Sequence, residues 1–216
     1  MAESPSRAQQ LARNLLDIKA VLLAPDDPFT WSSGLRAPIY CDNRLTMAYP
    51  QVRRAIRDGF ATVLNDEGWA PDVIVGTATA GIPHAAWLAD RLDAPMAYVR
   101  SSAKAHGRQN QIEGRVTAGQ TAVVIEDLVS TGGSALDAVE AVREAGATVL
   151  AVLAIFTYEL DAAAERFAAA DVPLRTLTQY STLLDAAEAR GELTPEALRT
   201  LRDWRHDPEG WSAARV

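Results

Sequence analysis

The chain has one cysteine, Cys41, among its 216 residues. A lone thiol cannot build an intrachain disulfide framework, and Cys41 has no companion Cys or His at a spacing that would cage a metal. Basic residues are in deficit: 21 Lys and Arg stand against 28 Asp and Glu, a net charge of −7. That balance argues against a general nucleic-acid binder. No apolar run is long enough to cross a bilayer, and the polar segment Met1 to Gln10 lacks the apolar core of a signal peptide. Repeats, low-complexity tracts and linkers are missing as well. These absences leave the expectation of a soluble cytoplasmic protein, with no nucleic-acid and no membrane partner. The hydrophobic content of 48% suffices for one α/β domain with a sizeable core.

What is present alternates between two periods. Ser6 to Leu23 has apolar residues at helical spacing (Leu11, Leu15, Ile18, Leu22) and is broken by Pro25-Asp26-Asp27-Pro28. Phe29 to Asp42 reads as an irregular hairpin and Tyr49 to Glu67 as a helix. Asp72 to Gly76 is a short strand ending in Thr77-Ala78-Thr79-Ala80-Gly81, with a helix over His84 to Leu92 behind it. Pro95 to Val99 and Thr148 to Phe156 read as further strands, and Pro195 to Trp204 as a C-terminal helix. The polar tail from Arg205 to Val216 is expected to be loosely ordered. Strands separated by helices imply a mostly parallel central sheet flanked by helices, an α/β fold whose ligands bind at the carboxyl ends of strands.

The most informative stretch is Val123-Val124-Ile125-Glu126-Asp127-Leu128-Val129-Ser130-Thr131-Gly132-Gly133-Ser134. An apolar strand stops at two carboxylates, then come small hydroxyl and glycine residues, then a helix. Backbone N–H groups, hydroxyls and a helix N-terminus together suit a phosphate. The turn alone also fits a plain helix cap. Two adjacent acids at the end of a buried strand, however, demand a use, such as gripping the vicinal hydroxyls of a ribose. A second constellation, Arg100 to Gln111, carries Arg100, Lys104, His106 and Arg108 and no acid. A long basic loop of small residues suits a lid over a diphosphate; its charge alone fits a solvated loop with no catalytic role equally well, and the phosphate-binding loop on the next strand favours the lid.

The Glu126–Ser134 segment resembles the phosphoribosyl pyrophosphate (PRPP) signature of the type I phosphoribosyltransferases. Three further blocks narrow the resemblance to the orotate phosphoribosyltransferases: Tyr98-Val99-Arg100 with Lys104-Ala105-His106-Gly107 and Ile112-Glu113-Gly114; Phe29 to Gly34 with Pro38 to Arg44; and Gly76 to Pro83. They occur in the family's order and span Phe29 to Tyr158. The resemblance implies transfer of the phosphoribosyl group of PRPP to orotate N1, giving orotidine 5′-monophosphate and diphosphate. It implies a type I phosphoribosyltransferase fold over residues 1–216, with residues 1–45 forming a small hood over the base site and 195–216 a C-terminal helix and tail. Lys104, His106 and Arg100 would serve the leaving diphosphate. Glu126 and Asp127 would hold the ribose hydroxyls, and Ser130, Thr131, Gly132, Gly133 and Ser134 the 5′-phosphate. Thr79, Ala80 and Gly81 would face the diphosphate through their backbone, and Tyr40 and Cys41 would line the base site. Ser130 is also a candidate donor to the orotate carboxylate, and Arg44 a weaker candidate for the base site or dimer surface. Mg²⁺ would be carried by the substrate, with no dedicated protein cage, and the Arg100–Gly114 loop would act across a homodimer interface.

Departures from the family pattern fall at Ala80, Ser101 and Ser32, where relatives carry basic residues, and at Glu126, where the first acid is usually Asp. Thr157-Tyr158-Glu159 stands where a base-contacting arginine is expected. Two alternatives share the ribose-phosphate loop: a transferase for another nucleobase, and a non-catalytic regulator that senses PRPP. His84 and the tryptophans Trp31, Trp69 and Trp87 read as structural.

Overall fold

The computed structural model describes residues 5–31, 33–101 and 111–215. Helix α1 (Arg7–Asp17) opens with a reciprocal cap: the Ser6 hydroxyl accepts from Gln9 N while the Gln9 side chain accepts from Ser6 N. Lys19 then takes a left-handed φ of 57°, and the chain leaves the helix. Val21–Leu23, expected as the helix end, is instead strand β1. A hairpin of β2 (Phe29–Thr30) and β3 (Arg36–Ala37) follows, and β4 (Ile39–Cys41) pairs antiparallel with β1. After a short 3-10 helix over Asn43–Ala48, helix α2 (Pro50–Asp66) begins on a proline that needs no N–H there. It buries Val52, Ile56, Phe60 and Leu64 along one stripe.

The centre is a six-stranded sheet in the order β10-β9-β8-β5-β6-β7. Its strands are β5 (Val73–Thr77), β6 (Met96–Val99), β7 (Ile112–Gly114), β8 (Thr121–Val129), β9 (Thr148–Thr157) and β10 (Leu174–Gln179). All neighbouring pairs are parallel except β6 with the edge strand β7. The crossovers are α3 (Gly81–Leu92), α4 (Gly133–Glu144) and α5 (Asp161–Ala169), and α6 (Tyr180–Ala189) follows β10. Strand residues alternate between two cores. Ile74, Val123, Ile125, Leu153 and Ile155 face the layer of α1, α2, α3 and α6. Val73, Val75, Val124, Val152 and Ala154 face α4 and α5.

β8 continues past the two acids to Val129, so Glu126 and Asp127 sit within the strand rather than after it. The C-terminal stretch is more ordered than its polarity suggests. α7 (Pro195–His206) is followed by α8 (Pro208–Ala213), capped by the Asp207 carboxylate, and Trp204 is fully enclosed. Among the described residues, no helix is long and apolar enough to cross a membrane.

Candidate active site

The chain runs from β5 through α3 to β6, then returns to the other side of β5 as β8. α3 packs on one face of the sheet and α4 on the other. The two loops therefore diverge at the carboxyl ends of adjacent strands and leave a crevice, the place where open parallel sheets bind ligands. The crevice is a cavity of about 390 Å³ lined by Ala78, Thr79, Ala80, Glu126, Asp127, Leu128, Ser130, Thr131, Gly132, Gly133, Ser134 and Ala135. The sequence-predicted grips for ribose, 5′-phosphate and diphosphate are thus together, with Gly81 just behind. A methyl on Gly81 would fall on the Ile125 carbonyl oxygen and 2.5 Å from Thr77 Oγ1, so only glycine lets the start of α3 lie this close to β8. The peptide bond Ala78–Thr79 in the same loop is cis.

On the other wall Gly132 precedes α4 with a φ of 83°, and a side chain there would also meet the Phe167 ring at 2.8 Å. The first-turn N–H groups of α4 have no intrahelical acceptors and are free to meet an anion. Arg166, on α5, reaches Thr131: its Nη1 lies 3.4 Å from the hydroxyl and 3.5 Å from the carbonyl oxygen.

The acids are held from behind. Thr77 Oγ1 is 2.6 Å from Glu126 Oε1 and 3.1 Å from the Ile125 carbonyl, and Asp127 N donates to Glu126 Oε1 at 3.0 Å. Burial pushes the Glu126 carboxyl up to about 8; the Thr77 hydroxyl opposes this and the Asp127 charge adds to it. Asp127 is also raised, chiefly by burial, with the hydrogen bond from Glu126 and the Arg44 charge pulling the other way. The two carboxyls titrate as one pair, both held above the ordinary carboxylate range. Thr77, read from sequence only as part of the turn after the strand, escaped assignment to the site because a hydroxyl carries no charge signal. Asn43 did as well: it is buried, and its Nδ2 donates to the Asp127 carbonyl oxygen at 2.7 Å.

A second cavity of about 390 Å³ adjoins the first and shares Ala78, Gly133 and Ser134 with it. Arg100 and Gln111, the described flanks of the basic loop, line it. Among the described residues Arg100 Nη1 has no hydrogen-bond partner and is buried; its ion pair with Glu113 is long, at 3.7 Å. Lys104 and His106, with Ser32, lie outside the described residues. Cys41 comes near the acids: burial, then the Asp127 and Asp42 charges, hold its thiol well above the usual range. Tyr40 is exposed against Phe29, ring centroids 5.7 Å apart, and lines neither cavity. Arg44 is exposed and paired to Asp42 at 2.6 Å. His84 is structural, as read: burial lowers it to about 4, and its Nε2 lies 3.3 Å from Thr46 Oγ1. Trp31 packs into the core, and Tyr158 is buried beside it.

A family model described as Phosphoribosyl transferase domain matches residues 48–177. The orotate phosphoribosyltransferase of Halalkalibacterium halodurans is 54% identical over 204 residues, covering 94% of this chain and 97% of that protein. The chain belongs to the orotate phosphoribosyltransferase family. The solved structure of the Aeropyrum pernix family member superimposes with a TM-score of 0.74 at 32% identity, over 85% of this chain and 99% of that one. The Leishmania donovani UMP synthase gives a TM-score of 0.78 at 28% identity over 92% of this chain, which spans only 42% of that protein's length. The six-stranded, mostly parallel sheet between helix layers is the family's type I phosphoribosyltransferase fold.

Proposed function

We propose that the chain transfers the phosphoribosyl group of PRPP to orotate, forming orotidine 5′-monophosphate and diphosphate in pyrimidine biosynthesis. The observation that carries this reading is the convergence of Glu126 and Asp127 with the Ser130–Ser134 loop in one cavity, facing the Thr79–Ala80 backbone. In it, Ser130, Thr131, Gly132, Gly133 and Ser134 and the start of α4 hold the 5′-phosphate, Glu126 and Asp127 the ribose hydroxyls, and the Thr79–Gly81 backbone the diphosphate. Arg100 lines the adjoining cavity, and its long 3.7 Å pairing with Glu113 leaves the guanidinium a candidate for diphosphate oxygens. Tyr40 and Cys41 mark the base side of the hood, and Cys41's closeness to Asp127 supports that placement.

In the reaction orotate N1 gives up its proton, to solvent or to the departing diphosphate, and forms a bond to the anomeric carbon as the bond to diphosphate breaks, and that bond's electron pair leaves with diphosphate. Charge grows on the leaving group, so fixed cations beside it lower the barrier. Lys104 and His106 take this role on the strength of the loop's resemblance, with His106 a candidate proton donor. In this reading the Arg100–Gly114 loop acts across a homodimer interface and the enzyme works in the cytoplasm. Among the described residues no cluster of three or more His, Cys, Asp or Glu could cage a metal. The two carboxylates lining the cavity still suit a cation carried in on substrate oxygens. Mg²⁺ carried this way, mainly on the substrate's diphosphate and ribose, would neutralise diphosphate charge.

The test is the loss of orotate absorbance with purified protein, PRPP and Mg²⁺, run beside hypoxanthine, adenine and uracil. Turnover with orotate alone is expected, and Lys104→Ala should lower it by orders of magnitude with the fold intact. Turnover of another base would make this a different nucleobase transferase. No turnover despite tight PRPP binding would make it a regulator.

A further inference from the structure

The hood hairpin is braced by the far end of the chain. Trp31, just past β2, donates from Nε1 to the Ile39 carbonyl oxygen at 3.0 Å, immediately before Tyr40. Its ring lies 5.1 Å from Tyr158 and 5.6 Å, edge-on, from Trp204 of α7. Trp204 also meets Tyr158 edge-on at 5.7 Å and Tyr180 at 5.5 Å, and is fully buried. A second tie runs from α8. Arg36 N, in β3, donates to the buried Ser212 hydroxyl at 2.8 Å, and the Arg36 guanidinium donates to the Arg215 carbonyl oxygen. The first tie meets β4, the strand that carries Tyr40 and Cys41, and the second meets β3, which leads into it through Pro38. Neither touches Glu126, Asp127 or the phosphate loop.

We propose that Trp204 and Ser212 are positioning residues for the nucleobase: the C-terminal helices hold the β3–β4 side of the hood, and hence Tyr40 and Cys41, against the base. This rests on the reading of Tyr40 and Cys41 as base-side residues. A β2–β3 hairpin of two-residue strands has little stability of its own, so its position must come from what it packs on. Aromatic edge contacts and a buried hydroxyl supply direction as well as area. The polar C-terminal segment thereby acquires a role in substrate recognition.

The experiment measures kcat and both KM values for Trp204→Phe, Ser212→Ala and Tyr40→Ala, with thermal melting to confirm folding. Trp204→Phe keeps a ring but loses reach toward Trp31. Ser212→Ala removes one hydroxyl, and folding should survive it even where Trp204→Phe does not. The expected result is a rise of about five-fold or more in KM for orotate, with KM for PRPP within about two-fold of wild type. A folded Ser212→Ala protein with unchanged KM for orotate, or equal rises for both substrates, overturns the proposal while Tyr40→Ala still raises KM for orotate. A Tyr40→Ala enzyme with wild-type KM for orotate overturns the base-side reading itself, and the proposal falls with it.

Discussion

Asn43 and Asp127, 84 residues apart in sequence, are joined by a 2.7 Å hydrogen bond from the Asn43 amide to the Asp127 carbonyl oxygen. The bond ties the segment behind the hood to the acidic strand. Asn43 is itself fixed by Thr46, whose hydroxyl donates to the Asn43 carbonyl at 2.5 Å and lies beside His84. Asn43→Ala should therefore act at two levels. It leaves a part-buried carbonyl oxygen without its donor, costing about 1–3 kcal/mol, and it frees the backbone of Asp127. Melting should show a lower Tm, and calorimetry several-fold weaker PRPP binding. Wild-type PRPP affinity in a folded Asn43→Ala protein would mean the bond serves the hood alone.

Glu126 and His84 give the ligand-free protein opposed pH dependences. Glu126 is raised in the fold to about 8 from an ordinary value of 4.5. The native state then binds more protons than the unfolded one across that interval, and stability falls as pH rises through it. His84, lowered to about 4 from 6.5, does the reverse: its contribution is intact above 6.5 and is lost as pH falls toward 4. The two oppose each other between about 4.5 and 6.5, and between about 6.5 and 8 the Glu126–Asp127 pair acts without His84. Glu126→Gln removes one side of this balance. Its Tm should decline less than wild type from pH 6.5 to 8, and its acid-side loss should be steeper. Parallel Tm–pH curves for the two proteins would show that Glu126 ionises normally in the fold.

Much of the site was legible because its chemistry is local in sequence. The acids, the hydroxyl–glycine loop and the helix start follow one another from Glu126 to Ser134, and buried parallel strands announce themselves as apolar runs. What escaped depends on partners far along the chain. Val21–Leu23 continues the helical spacing of Leu11, Leu15 and Ile18, yet pairing with Ile39–Cys41 makes it a strand. Thr77 and Asn43 are uncharged polar residues whose meaning comes only from Glu126 and Asp127. The C-terminal segment reads as polar because the buried pair Trp211 and Ser212 is flanked by exposed residues. Its apolar face becomes visible only against Arg36 and Trp31, at the other end of the chain.

Arg166 is a cation at the rim of the phosphate loop, and no charge pattern near the motif pointed to it. Its guanidinium contacts Thr131 and passes 3.8 Å from the position a Gly133 side chain would take. An exposed arginine held there adds positive potential to the backbone N–H groups. Arg166→Ala should raise KM for PRPP by a few-fold, leave KM for orotate alone, and lessen the salt sensitivity of PRPP binding. Equal PRPP affinity at low and high salt in wild type and variant would confine Arg166 to the surface.

Two glycines of the cavity region should respond in opposite ways to a single methyl group. At Gly81 the added carbon would meet the Ile125 carbonyl oxygen and Thr77 Oγ1, so α3 must move off β8. Both neighbours are fixed, one as strand backbone and one by its bonds to Ile125 and Glu126. Overpacking of this kind costs about 1–3 kcal/mol. The displacement falls on the Thr79–Ala80 loop, so PRPP binding and turnover should drop with stability. At Gly133 the nearest atom is the Arg166 side chain at 3.8 Å, and the backbone is already helical. Alanine there restricts the unfolded chain without a clash, and stability should be unchanged or higher by about 0.4–1 kcal/mol. Melting curves of Gly81→Ala and Gly133→Ala decide the matter. A clear loss in the first and none in the second is expected, and similar losses in both would mean that the close approach of α3 to β8 does not govern the fold at this site.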